Sequence, residues 1–80
     1  MPKVFEWNGY RFYFYSDEGD PREPMHIHIE KADADAKFWL YPEVELAYNH
    51  GFNARVIRLL RAVVENRQAE IERVWHGHFD

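Results

Sequence analysis

Hydrophobic and polar residues alternate through the first half of the chain and recur at helical spacing through the second. Val4 to Trp7 and Tyr10 to Tyr15 read as two strands, because β-branched and aromatic residues dominate both. Asn8-Gly9 between them is the dipeptide favoured by a two-residue hairpin turn, whose central positions need positive φ. Ser16 to Pro24 carries Asp17, Glu18, Asp20, Glu23, a glycine and Pro21, and predicts an exposed loop. Met25 to Glu30 is a third strand, Lys31 to Asp35 a turn, and Ala36 to Leu40 a fourth strand that stops at Tyr41-Pro42. Glu43 to Asn49 alternates at Val44, Leu46 and Tyr48, which predicts a short fifth strand, although its Glu and Ala residues also tolerate a helical turn.

After Gly51-Phe52, Asn53 is a competent N-cap for a helix that runs toward the C-terminus. Val56, Ile57, Leu60, Val63, Val64, Ile71, Val74 and Trp75 fall on one stripe at helical spacing. Arg67 and His78 interrupt it. Either the helix kinks or restarts near Asn66, or those two side chains reach a polar spot at the edge of the sheet; the kink is favoured, since Asn66 can cap and a buried unpaired Arg is costly. This order predicts a single α+β domain over residues 1–80. Its architecture is an antiparallel β-meander of four or five strands, packed on one face by a C-terminal helix or helix pair.

Composition changes this picture in one respect, which is how so short a chain is stabilised. At 80 residues it lies near the lower limit for a self-sufficient core, and it has no cysteine for disulfides or thiolate metal sites. Six Phe, five Tyr and three Trp are left to build an aromatic core or an aromatic surface for a partner. The N-terminus does not read as a signal peptide, and no apolar run approaches a membrane span, so the expectation is a soluble, cytoplasmic protein without membrane association. The formal charge of −4 argues against non-specific nucleic-acid binding, which needs a basic footprint.

The chemistry concentrates in one strand. Its period of two sends Met25, Ile27 and Ile29 toward the helix and His26, His28 and Glu30 to the opposite face. Phe12 and Phe14 are likewise expected in the core, which puts Arg11, Tyr13 and Tyr15 on the polar side. Three functional readings compete there. His26 and His28 could ligate a zinc-like ion with Glu30, or with His50, His76 or His78, completing the shell. Alternatively, an imidazole beside Arg11 and a tyrosine suits metal-independent phosphodiester cleavage, with guanidinium stabilising the developing charge. The third is a recognition surface for bases or a protein. Against all three stands ordinary cross-strand packing of two half-exposed histidines on tyrosines.

Other features are weaker. Arg55, Arg58 and Arg61 read as a solvated helix flank before a phosphate site. In Trp75-His76-Gly77-His78-Phe79, Gly77 looks like helix termination, and histidines there suit the helix dipole. Phe38 and Trp39 point to opposite faces, one to the core and one outward or under a partner. No phosphate loop, nucleophile elbow or zinc-finger spacing occurs, so a nucleotide-dependent enzyme is not expected.

Several of these segments together resemble the small bacterial family known as domain of unknown function 4160. They are Tyr10 to Ser16, Pro24-Met25-His26-Ile27-His28-Ile29, Ala36 to Leu40, Leu46 to Phe52, Glu65-Asn66-Arg67 and Trp75-His76. The family pattern reads Pro-Pro-His-x-His, and this chain carries Met25 in place of the second proline. The resemblance implies one component of a toxin-antitoxin-like two-gene module, with a small protein encoded by the neighbouring gene as partner and RNA as a conceivable target. If that component is an enzyme, the residues themselves assign His26 and His28 as proton-transfer groups, Arg11 as the charge stabiliser and Tyr13 as the positioning group. The alternative is a non-catalytic metal-binding or protein-interaction module, with zinc or nickel on His26, His28 and Glu30. A homodimer is a further option.

Overall fold

A computed structural model of the chain describes residues 3–15 and 23–79. Most of the loop expected from Ser16 to Pro24 lies outside the described residues. Strands β1 (Lys3–Trp7) and β2 (Tyr10–Tyr13) form the predicted hairpin, with Asn8 at φ 49° and Gly9 at φ 81°. Both values lie in the left-handed region that this turn requires. Next come β3 (His26–Lys31), β4 (Ala34–Trp39) and β5 (Glu45–His50). The expected turn from Lys31 to Asp35 is tighter than predicted: only Ala32 and Asp33 connect β3 to β4, with Ala32 at φ 53°. All five strands pair antiparallel in chain order, so the sheet is a plain meander.

Asn49 and Phe52 fix the exit from the sheet: the Asn49 amide donates to the Phe52 carbonyl at 2.8 Å, and the Phe52 N–H donates back to Asn49 Oδ1 at 3.1 Å. Asn53 then caps α1 (Ala54–Asn66), its side chain accepting from the Val56 N–H at 2.8 Å. At Arg67 the helical path breaks, and α2 (Gln68–Phe79) restarts at once. Arg67 lays its guanidinium 4.3 Å from the centre of the Phe5 ring, so it is half-buried on an aromatic face rather than unpaired in the core. Gly77 does not terminate the helix as expected. It lies inside α2, with open space where a Cβ would stand, and His76 and His78 are exposed in the last turn.

The helices cover one side of the sheet. Phe5, Phe12, Phe14, Ile27, Ile29, Ala36 and Phe38 pack there against Ile57, Leu60, Val63, Val64, Ile71 and Trp75. Met25, expected in the same row, is only partly buried at its margin. Gln68 donates to the Leu40 carbonyl and Arg61 to the Val44 carbonyl, so both helices are tied to the segment between β4 and β5. Of the three arginines predicted on the helix flank, Arg55 and Arg58 are exposed while Arg61 is drawn inward by that bond. No helix among the described residues is long and apolar enough to cross a membrane.

The fifth strand departs from simple alternation. A register shift against β4 sets Leu46 opposite Phe38 but Tyr48 opposite Lys37. Leu46 therefore joins the core side, and Tyr48 joins the opposite face instead of sharing a side with it as the alternation predicts. A bulge of this kind re-aims one side chain by inserting an extra residue.

Candidate functional site

The face turned away from the helices is built by register. Arg11 pairs across the strands with Glu30, Tyr13 with His28, His28 with Lys37, Lys37 with Tyr48, and His26 with Trp39. All six polar and aromatic residues named on the sequence for this face therefore belong to one neighbourhood: Arg11 and Tyr13 on β2, Tyr15 just beyond it, and His26, His28 and Glu30 on β3.

His28 lies at its centre under three tyrosine rings. Tyr13 stacks on it at 5.4 Å between ring centres, Tyr15 meets it edge-on at 4.7 Å, and Tyr48 reaches its Nδ1 with the hydroxyl at 3.3 Å. Its neighbour His26 is boxed edge-on by Trp39 at 5.6 Å and by Trp75 at 5.1 Å, with the two imidazoles 5.1 Å apart. His26 Nδ1 lies 2.8 Å from the Pro24 carbonyl. A carbonyl only accepts, so this nitrogen carries the proton, and in the neutral ring Nε2 carries the lone pair.

Burial is where the structure departs from expectation. Cross-strand packing predicts a half-exposed histidine face, yet His26 is fully buried and His28 is 4% exposed. The cause is the density of aromatic side chains around them. Rings from neighbouring strands lie close enough on one face to close over a residue between them. The tyrosine contacts themselves are those that cross-strand packing predicts.

Tyr13 shares this burial, which pushes its hydroxyl well above the ordinary tyrosine range; the Tyr15 hydroxyl at 3.4 Å and the carboxylate of Glu30 add to the shift. Tyr13 therefore stays protonated and can donate or position but cannot serve as a base near neutral pH.

Arg11 and Glu30 form an ion pair one pleat further along the same face, about 7 Å up the strand from Tyr13 and His28. Lys37 spans Glu23, at 3.2 Å, and the Trp39 ring, at 4.2 Å. Asp35 and His50 make a further exposed pair at 3.4 Å. Of the histidines considered as further ligands, His50 is thus engaged with Asp35, and His76 and His78 lie on α2. Among the described residues no group of three or more His, Cys, Asp and Glu is arranged to hold a metal ion.

Sequence reasoning missed four members of this neighbourhood: Tyr48, Lys37, Trp39 and Trp75. Lys37 and Trp39 follow from the period of two once β3 and β4 are paired. Tyr48 depended on the bulge, and nothing in the alternation of β5 signals it. Trp75 was read as helix stripe only; it reaches Phe14 on the helix side and His26 at the end of the strands.

A short antiparallel meander with helices on one face and a ring-lined histidine pair on the other defines a small α+β class of protein. Residues 9–76 match the family model described as domain of unknown function (DUF4160), and the chain belongs to that family. The matched range holds the whole histidine neighbourhood, from Arg11 to Trp75. No curated protein and no solved structure matches the chain.

Proposed function

We propose that the protein is one component of a toxin-antitoxin-like two-gene module, and that it works by binding a small protein, the product of the neighbouring gene, on the sheet face around His26 and His28. The observation that carries this reading is the make-up of that face. It combines Tyr15, Trp39 and Tyr48, each partly exposed, with Arg11 and Lys37 over a rigid, ring-packed floor. Aromatic and Arg side chains on a fixed base are the usual anchors of protein interfaces.

Burial of the imidazoles favours binding over catalysis. A proton-transfer group needs a substrate within about 3.2 Å, so Tyr15 and Tyr48 would have to part before RNA reached His28. In an RNA-cleaving form, His26 and His28 would move protons, Arg11 would have to leave Glu30 to stabilise charge, and Tyr13 would position the target. A zinc or nickel ion on His26, His28 and Glu30 would make the same demand on the Glu30–Arg11 pair.

Co-expression with the product of the adjacent gene tests the module. The expected result is a stable complex, and growth arrest by one partner that the other relieves. Arg11→Ala with Lys37→Ala, at positions outside the core, should weaken the complex while the fold is retained. Harmless expression of either gene and no complex would end the reading. Stoichiometric zinc or nickel in untagged protein, lost in a His26→Ala/His28→Ala double variant, would reassign the surface to metal binding.

A further inference from the structure

Where β3 begins, Pro24, Met25, Tyr41 and Trp75 wall an apolar groove of about 370 Å³, with Glu23 and His76 also lining it. The Trp75 ring is held from behind by Phe14, Phe79 and His26. Tyr41, by contrast, is 70% exposed, the most exposed large hydrophobic side chain among the described residues. A groove that shares a fixed aromatic side chain and an exposed ring is a receptacle for one apolar side chain of a partner.

The segments that line the groove carry three carboxylates, one of them in its wall. Glu23 lines it. Glu72 stands one turn before His76 on α2 and accepts from Gln68, whose amide also donates to the Leu40 carbonyl next to Tyr41. Glu43 is exposed two residues beyond Tyr41. Lys37 offsets part of the Glu23 charge at 3.2 Å, and the chain as a whole carries −4. A carboxylate at the slot, with Glu43 and Glu72 on the two segments that supply Tyr41 and His76 to it, disfavours phosphates and favours cations.

We propose that this groove docks a basic segment of a protein partner, with an apolar side chain seated between Tyr41 and Trp75 and Lys or Arg residues beside it facing Glu23, Glu43 and Glu72. The proposal rests on the partner-binding reading and adds to it a place and a chemistry. Long basic side chains suit the rim, since their stems can lie along Met25 and Pro24 while their heads reach the carboxylates.

The test is an NMR titration of the full chain with a synthetic peptide carrying one Trp flanked by lysines. Shifts should concentrate at Met25, Tyr41, Trp75 and His76. Replacing the lysines by glutamates, or Tyr41 by Ala in the protein, should weaken binding about tenfold or more. Equal binding of the two peptides, shifts elsewhere on the sheet, no response at millimolar peptide, or a stronger response to an RNA oligonucleotide would each overturn the proposal. The product of the adjacent gene separates the two readings. If it binds wild type and Tyr41→Ala equally, the groove proposal fails while the module reading stands. If it does not bind at all, the module reading fails and the peptide titration alone decides the groove.

Discussion

Strand β3 buries side chains on both of its faces, by different means. Ile27 and Ile29 are fully buried in the core that α1 and α2 close. His26 and His28, one residue out of phase, are 0% and 4% exposed, with rings of Tyr13, Tyr15, Tyr48, Trp39 and Trp75 around them. On the helix side the cover laid down by α1 and α2 is mostly aliphatic, from Ile57, Leu60, Val63, Val64 and Ile71, and is non-directional and close-packed. On the other side the cover is a set of rings whose polar ends keep hydrogen-bond geometry, as between Tyr48 and His28. The first arrangement suits stability. The second suits recognition, because rings with only two side-chain torsions offer a large contact area at little cost in conformational entropy.

The largest effect should come where the two faces meet. Trp75→Ala removes the ring that touches both Phe14 and His26, and should cost about 3–5 kcal/mol, a large share of the roughly 5–15 kcal/mol that small domains have. Urea unfolding followed by far-UV circular dichroism reads it directly; a loss under about 1 kcal/mol would mean that the two faces are energetically separate. Next in size is a matched pair on β3. Ile29→Ala leaves a cavity beneath two helices and should cost about 2–5 kcal/mol. His28→Ala should cost about 1–3 kcal/mol, because the tyrosines over it can relax toward solvent. Equal losses for the two variants would break the distinction between the faces.

The helix-side core was legible in the sequence because its signal is periodic. Phe12, Phe14, Ile27, Ile29 and the stripe from Val56 to Trp75 follow from spacings of two and of about 3.6 residues. The break at Arg67 was legible as a conflict within that stripe, although Phe5 as the surface receiving the guanidinium was not. On the other face, periodicity placed Arg11, Tyr13, His26, His28 and Glu30 together, but their burial was hidden. Burial there depends on which rings lie across the strands, and that depends on register. The bulge that turns Tyr48 onto His28 leaves no mark in the alternation of β5. Gly77 misleads for a related reason: it reads as a stop signal, yet α2 runs through it while the Trp75 and Phe79 rings pack at a tilt on one face.

A smaller effect is expected at the solvent margin of the polar face. Arg11→Ala breaks the pair with Glu30, whose side chains are 47% and 34% exposed, so the stability loss should stay below about 1 kcal/mol and shrink with added salt. A partner docked on this face should notice the same change far more. A variant with wild-type stability and reduced complex formation would assign Arg11 to recognition, whereas parallel losses in both would assign it to the fold.

The smallest effect at neutral pH, and the most diagnostic, belongs to Tyr13→Phe. Its hydroxyl has only a long contact of 3.4 Å with Tyr15, so the variant should lose less than about 1 kcal/mol there. The pH dependence carries the information. An unfolded tyrosine ionises near about pH 10, while burial raises Tyr13 above that in the folded chain. Above about pH 10 the unfolded state releases a proton that the folded state keeps, and stability falls as pH rises. The contribution is therefore fully present below the unfolded value and is lost as pH climbs toward the folded one. Phenylalanine cannot ionise, so the stability difference between wild type and variant should stay constant below about pH 9 and turn against wild type in the alkaline range. A flat difference through about pH 11 would show that Tyr13 ionises in the fold as it does in water. The ring cover on the histidine face would then be wet, and the two faces of β3 would not be equally closed.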